Sequence, residues 1–462
     1  METKRRLLLD AEKEKLVDTI LDQEQQIEKL RQENDTLRNK IEKIERILPE
    51  ITKRYPKKES KTKSKPPSKW GRKLGHKGCT RPTPDHIDRE VEQRLSNCPN
   101  CTHQLGAPVE SVDHIQEDII PARVEVTRFK RHRYWCSHCQ TILTAPYAPE
   151  QVPCGYLGPR TLLSMVLLKY HHGLPGNKIR DVFRDFCGLT VSEGAITQAL
   201  QRLATFLKTE KNVILESIRK AAVKHGDETG WNVNGVNHWL WAFVNDQWAF
   251  FDIRRSRGRC VPKELIGSPY QGTLITDFFN VYDGLTGSQQ KCLVHLRREV
   301  RRCRGNDPPE DFTKPERKFK RLLNDAVRLG QHRAQIEALV YKRRVRLIHK
   351  RWVDFAAGTY SNKDWQRLSK RLLQYENEIL LFLDVEGLPS DNNLAERAIR
   401  PHVIIRNRSF QNRTLNGAIA HSTLTSLIHT LRLQGRSPLP VLQTAYLHHR
   451  QGLNGNVLFP SN

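Results

Sequence analysis

Between residues 16 and 48 a heptad pattern runs unbroken, its seam positions recurring every three or four residues and apolar at all but two. Ile20, Ile27, Asn34, Ile41 and Leu48 fall on one seam of a heptad, and Leu16, Gln23, Leu30, Leu37 and Ile44 on the other. Mostly β-branched residues on the first seam and mostly Leu on the second predict a parallel two-stranded coiled coil, with Asn34 fixing its register. In such a homodimer Glu33 faces the partner's Arg38 and Lys40 the partner's Glu45, so the expected partner is a second copy of this chain. A single amphipathic helix packed on its own core is the alternative. Pro49 stops the helix in either case.

Further along, the period changes several times. Ile115 to Arg133 holds strand-like stretches such as Arg123–Phe129, alternating apolar and polar. Thr161 to Leu207 turns helical: Asn177–Phe186 is one amphipathic segment, Cys187-Gly188-Leu189-Thr190 a turn, and Ser192 a cap for a second helix through Leu203. Two readings fit this pair. It is a helix-turn-helix presenting Glu193, Thr197, Gln198, Gln201 and Arg202 to a DNA groove, or it is ordinary bundle packing. Val223 then leads a strand into Asp227, and Asn237–Val244 and Trp248–Ile253 form a hairpin apolar on both faces, as central, covered strands are. Thr273–Thr276 is a short buried strand ending at Asp277. Helices are expected over Cys292–Cys303 and Pro315–Leu383, followed by a helix carrying Glu396 that Pro401 ends.

Charge adds a partner to this outline. The 462 residues hold 77 Lys and Arg against 51 Asp and Glu, a formal net charge of +26. Residues 51–78 alone contain eleven basic side chains and one acid, Glu59, among prolines and serines. Such a segment cannot bury a core, and flexible basic arms bind a phosphate backbone without reading its sequence. A polyanion, double-stranded DNA, is therefore the expected partner. The longest apolar run, Leu162–Leu168, is far too short to span a bilayer, so no membrane partner is expected. The charged N-terminal residues lack the apolar core of an export signal, so a cytoplasmic location, with the chain associated with nucleoid DNA, is expected.

Ten cysteines in a chain expected to stay inside the cell argue for metal ligands and free thiols rather than disulfides. Cys98-Pro-Asn-Cys101 and Cys136-Ser-His-Cys139 are two knuckles with thirty-four residues between them. That is a zinc-ribbon pattern, in which Cys98, Cys101, Cys136 and Cys139 hold one structural Zn²⁺. His103 and His138 are read as solvated neighbours.

Asp227, Asp277 and Glu396 form the second candidate site. Brought together, they would offer oxygen ligands to two divalent ions that clamp the attacking and leaving oxygens of a phosphodiester displacement. Each has a bland reading as well. Glu228 competes with Asp227, Asp283 with Asp277, and Glu396 has Arg400 one helical turn away. The order of strand, strand end and helix is how an RNase-H-like sheet presents acids to metal. Cys292 and His295, three apart on one helix face, are expected to support the site rather than to ligate.

Several stretches together carry a resemblance: Gly226-Asp-Glu-Thr-Gly-Trp231, Thr276-Asp-Phe-Phe-Asn-Val-Tyr-Asp-Gly284, Cys292-Leu-Val-His-Leu-Arg-Arg298, Asp391-Asn-Asn-Leu-Ala-Glu-Arg-Ala-Ile-Arg-Pro401 and His421–Gly435. With these, nearly the whole chain resembles transposases of the insertion-sequence 66 family, within the DDE superfamily. It departs at Arg406-Asn-Arg408, where the family often has Arg-Lys-Asn. The resemblance implies a metal-dependent enzyme that cleaves element ends and transfers strands. Asp227, Asp277 and Glu396 would be its catalytic acids, with two Mg²⁺ or Mn²⁺ per site, and accessory proteins of the same element its partners. The expected fold is multidomain α+β, with a dimerisation helix at 1–50, a basic linker at 51–78 and a zinc ribbon at 79–150. A helix-turn-helix-like region follows at 151–215. An RNase-H-like catalytic domain comes from 216–303 and 391–440, around an all-helical insertion at 304–390, and 441–462 is a tail. The rival functions are a DNA-binding regulator with an inactive nuclease-like domain and a repair nuclease.

Overall fold

The computed structural model describes residues 84–110, 113–119, 122–152, 155–409 and 411–450, with 23, 25–30, 32–38, 42, 452, 458 and 459. Within the heptad segment the described residues are helical, and Ile27, Leu30 and Leu37 leave half or more of their surface in solvent. The remainder of that segment and all of 51–78 lie outside the described residues. The chain divides into two units, Met1–Glu117 and Asp118–Asn462. In the first, a tight loop closes on the first cysteine pair. Cys98 N–H donates to His103 O and Thr102 N–H to Cys98 O, both at 2.8 Å.

The second unit contains an antiparallel hairpin, β1 (Arg133–Cys136) and β2 (Thr141–Thr144), turning at the second cysteine pair. The alternating stretch Arg123–Phe129 forms no strand. Its apolar side chains meet no second layer, Val126 being 91% exposed, and alternation without a facing core does not hold a strand. Four helices follow: α1 (Pro159–Val166, continued by a π-helical turn to His171), α2 (Gly176–Cys187), α3 (Glu193–Phe206) and α4 (Lys208–Lys220). Gly188 ends α2 in the left-handed conformation, φ +63°, its N–H on Arg184 O, and Ser192 Oγ caps α3 by accepting Ala195 N–H at 3.1 Å. Glu193, Thr197, Gln198 and Arg202 are exposed on α3, and Gln201 is half-buried.

The sheet is then built from β3 (Val223–Val233), β4 (Val236–Val244), β5 (Ala249–Arg254), β6 (Thr273–Thr276, after the short helix α5, Cys260–Ile266) and β7 (Ser288–Lys291). Its spatial order is β5-β4-β3-β6-β7; the first three strands are antiparallel, and β6 and β7 run parallel to β3. The β3–β4 turn uses Asn234 and Gly235 at φ +51° and +77°, the two positive values that a type I′ hairpin requires. After β7 the chain is helical: α6 (Leu293–Arg304), α7 (Glu310–Gln331), α8 (Ala338–Ala356), α9 (Lys363–Gln374), α10 (Glu376–Asp384), α11 (Asn393–Ser409), α12 (Leu415–Leu433) and α13 (Pro438–Arg450). Pro401, expected to end its helix, lies inside α11. Buried Ala395 and Ile399 before it and His402 and Ile405 after it seat one face on the protein, and that packing outweighs the missing hydrogen bond.

Both outer strands are covered. On β5, Ala249 N–H donates to Thr430 Oγ1 at 3.0 Å and Phe251 N–H to Ser426 Oγ at 2.9 Å, so hydroxyls of α12 take the place of a further strand. On β7, the buried Gln290 side chain donates to Ile379 O (3.0 Å) and accepts from Phe382 N–H (2.8 Å) of α10. Helices α1–α4 share one core with Trp241 and Phe243 of the sheet and with α12 and α13. Helices α6–α10 close a separate core around Phe312, Phe319, Trp352 and Trp365.

Two fully buried histidines, His402 and His421, and the half-buried His429 cluster between α11, α12 and β5. His402 Nδ1 lies 2.8 Å from His421 Nε2, His402 stacks on His429, and Phe251 packs against both His402 and His429. Burial holds His402 well below the usual imidazole range, His421 at about 3 and His429 at about 4, with Lys169, His171 and Arg432 adding repulsion. Unfolded histidines bind protons below about pH 6.5 while these do not, so stability present above that pH is lost as pH falls. The expected loss is roughly 4 kcal/mol per pH unit between about pH 6 and 4.5, three protons' worth. Urea midpoints across that range test it: His429→Gln should reduce the slope by about a third, and a flat profile would refute the neutral assignment.

Candidate active site

Asp227 lies midway along β3, paired with Ala242 of β4. Their shared face of the sheet packs on Ala395 and Ile399 of α11. Asp277 directly follows β6, where its Oδ1 accepts Phe279 N–H at 2.9 Å. Glu396 stands in the first turn of α11. Burial, then the charges of Glu228, Asp277 and Glu396, push the Asp227 carboxyl up to about 7. Alternation along β3 sends Glu228 to the opposite face.

The rival acids are engaged elsewhere. Glu228, only 2% exposed, accepts Arg257 Nη2 at 2.9 Å and the Tyr282 hydroxyl at 2.8 Å. Asp283 accepts Lys291 Nζ at 2.9 Å and the Tyr375 hydroxyl at 2.6 Å. Glu396 pairs with Arg298 of α6, which donates to both carboxylate oxygens at 3.1 and 2.9 Å. Among the described residues Asp227 has no such counterion within bonding distance, and its hydrogen bond is from Glu228 N–H at 2.9 Å. Hard oxygen donors in mutual repulsion suit a divalent cation of the Mg²⁺ or Mn²⁺ kind.

One residue holds the arrangement and was not singled out by sequence reasoning. Asn392 is fully buried. Its Nδ2 donates to Gly226 O at 2.8 Å, its Oδ1 meets His225 Nδ1 at 3.1 Å, its N–H points at Cys292 Sγ at 3.2 Å, and its carbonyl accepts Glu396 N–H. One side chain thus fixes the start of α11 against β3 beside Asp227. The signal was its place in Asp391-Asn-Asn393, which reads equally well as a solvated helix cap. Arg298 was missed for another reason: its partner lies ninety-eight residues away.

A sequence model for "Transposase IS66 family" matches residues 154–420, more than half of the chain. The chain belongs to the IS66 family of transposases. A second model, "zinc-finger binding domain of transposase IS66", matches residues 96–140 and so covers both cysteine pairs. Among curated proteins, the uncharacterized protein y4qI of Sinorhizobium fredii (strain NBRC 101917 / NGR234) is 25% identical over 368 residues, 72% of this chain and 67% of that protein. The uncharacterized protein y4hP of the same strain is 23% identical over 409 residues, 78% of this chain and 72% of that one. The family resemblance read from the motifs is thereby borne out, and the transposase match spans Asp227, Asp277, Asn392 and Glu396.

In this transposase Asn392→Ala should leave the Gly226 carbonyl and the His225 ring without their partner in a dry site. Each unpaired buried group costs about 1–3 kcal/mol. Chemical denaturation should show a loss in that range or above it, and unchanged stability would show that Asn392 does not anchor α11.

Proposed function

We propose that this transposase cleaves and joins DNA at the ends of an insertion sequence, with Asp227, Asp277 and Glu396 as its catalytic, metal-binding acids. The observation that carries the reading is placement: Asp227 on β3, Asp277 at the end of the adjacent strand β6 and Glu396 in the first turn of α11, which packs on β3's neighbours. In keeping with this arrangement, the Asp227 carboxyl is pushed up by burial, then by Glu228, Asp277 and Glu396. Bound on these acids, two Mg²⁺ or Mn²⁺ ions would activate water or a DNA 3′-hydroxyl and stabilise the leaving oxygen. The chain's own contribution is positional. Asn392 holds α11 against β3, while Arg298 neutralises Glu396 until the acids are engaged and then offers a guanidinium fork to a phosphate. The strand order, with β6 and β7 parallel to β3 beside an antiparallel meander, supports an RNase-H-like core interrupted by α7–α10.

The remaining parts read as DNA-holding devices. The two matched cysteine pairs support one structural Zn²⁺ on Cys98, Cys101, Cys136 and Cys139. Backbone N–H groups of Asn100 and Cys101 lower the Cys98 thiol, and those of Cys139 and His138 the Cys136 thiol, as ligand thiols require. The capped α2–turn–α3 pair with its exposed polar side chains supports a helix-turn-helix, and the net charge of +26 supports backbone contacts beyond it. The heptads support pairing of two copies through residues 16–48, consistent with holding two element ends together. Accessory proteins of the same element and a cytoplasmic, nucleoid-associated location complete the reading. Among the described residues no helix is long and apolar enough to cross a membrane.

A strand-transfer assay with the gene's own flanking DNA and Mg²⁺ or Mn²⁺ tests the proposal. Wild type should give joined products, and Asp227→Asn, Asp277→Asn and Glu396→Gln should abolish them while retaining end binding. Wild-type product from any substituted protein removes that residue from the ligand set. Cleavage without joining would favour a nuclease.

A further inference from the structure

The N-terminus of α6 brings a second set of metal-ligating atoms to Glu396. Cys292, at the N-cap, and His295, one turn on, share a helix face, and one ligand atom from each lies within 4.8 Å of the others and of a Glu396 oxygen. Cys292 is fully buried. His295 Nδ1 is buried, has no hydrogen-bond partner and lies 3.6 Å from Glu396 Oε1. The other ring nitrogen, Nε2, lies 3.4 Å from Arg298 Nη1. A buried imidazole nitrogen 3.6 Å from a carboxylate oxygen, with no hydrogen-bond partner among the described residues, is poorly explained by a purely supporting role. The Cys292 sulfur also receives the Asn392 N–H at 3.2 Å, while burial pushes its thiol up, so a bound cation would have to displace the thiol proton.

We infer that Cys292, His295 and Glu396 form a site for a soft divalent ion of the Zn²⁺ class, distinct from the carboxylate set and sharing Glu396 with it. Thiolate, imidazole and carboxylate together suit Zn²⁺ or Co²⁺ and not Mg²⁺, which does not take sulfur. Ligand atoms around a tetrahedral zinc stand roughly 3.5 Å apart, so closure needs side-chain movement of about an ångström and release of Arg298 from Glu396. Three protein ligands leave the fourth position open. Occupation withdraws Glu396 from Asp227 and Asp277, so a soft ion and the hard ions of the proposed chemistry compete for one carboxylate. The inference rests on the proposed function only through that shared residue.

Cobalt absorbance tests the site without any DNA chemistry. Co²⁺ is titrated into the full chain, its finger already loaded with zinc, as wild type, Cys292→Ser, His295→Gln and Asp227→Asn. Wild type and Asp227→Asn should develop a near-ultraviolet thiolate-to-cobalt band at one further equivalent. Cys292→Ser should lack it, and His295→Gln should weaken binding by at least about tenfold. Because Cys292 is buried and its replacement can disturb folding, the half-exposed His295 variant carries equal weight. Absence of the band in wild type, or its survival undiminished in either Cys292→Ser or His295→Gln, overturns the inference. Loss of the band in Asp227→Asn also overturns it, by making the thiolate part of the carboxylate set. Joined products that require Asp227 in a protein without the band would leave the proposed function standing and remove this site alone.

Discussion

A buried amide joins three segments that are far apart along the chain. Asn392 reaches Gly226 and His225 on β3, Cys292 at the start of α6, and through its carbonyl the first turn of α11. Each partner is itself backbone or buried, so the amide cannot rotate away without stranding polar groups where no water replaces it. The positions of Asp227 and Glu396 follow from this junction, because one lies next to a bonded residue and the other begins the helix that it anchors. A site assembled from chain segments about 165 residues apart is held to the precision of a few short hydrogen bonds.

That junction concentrates negative charge and the fold tolerates it unevenly. Glu228 and Asp283 are each held by a counterion and a phenol: Arg257 and the Tyr282 hydroxyl for the first, Lys291 and the Tyr375 hydroxyl for the second. Glu396 is answered by a single, half-exposed arginine on α6. Among the described residues Asp227 has only a backbone N–H. A carboxylate left so poorly compensated is a departure from the folding optimum, and such departures gather where a fold has work to do.

Much of this architecture was legible in residue order. The amphipathic spacing of Ile179 and Phe183, the Gly188 turn and the Ser192 cap specify α2 and α3 because each signal is local. The doubly apolar β4 read correctly as a central strand, whereas β5, expected to be central too, is an outer strand whose apolar faces reflect its cover by α12. Asn234-Gly235 was an overlooked hairpin signal of the same local kind. By contrast β7, Ser-Gln-Gln-Lys, carries no strand pattern, since its glutamines are spent on α10 and Tyr282. Pro401 misled because a local rule was outweighed by burial on both sides of it. The acids were found by motif, but the roles of Asn392 and Arg298 depend on partners that only the folded chain supplies.

The hydroxyl seal along β5 and the glutamine clasp along β7 have a consequence for assembly. An exposed strand invites another chain to continue the sheet, a contact that is strong, unspecific and slow to undo. Here backbone N–H groups of β5 are taken by α12 hydroxyls and β7 is clasped to α10, so both borders of the sheet are engaged within the fold rather than free to recruit another chain. Any partner of this unit would then have to dock through side-chain surfaces, contacts that sequence can tune and salt can weaken.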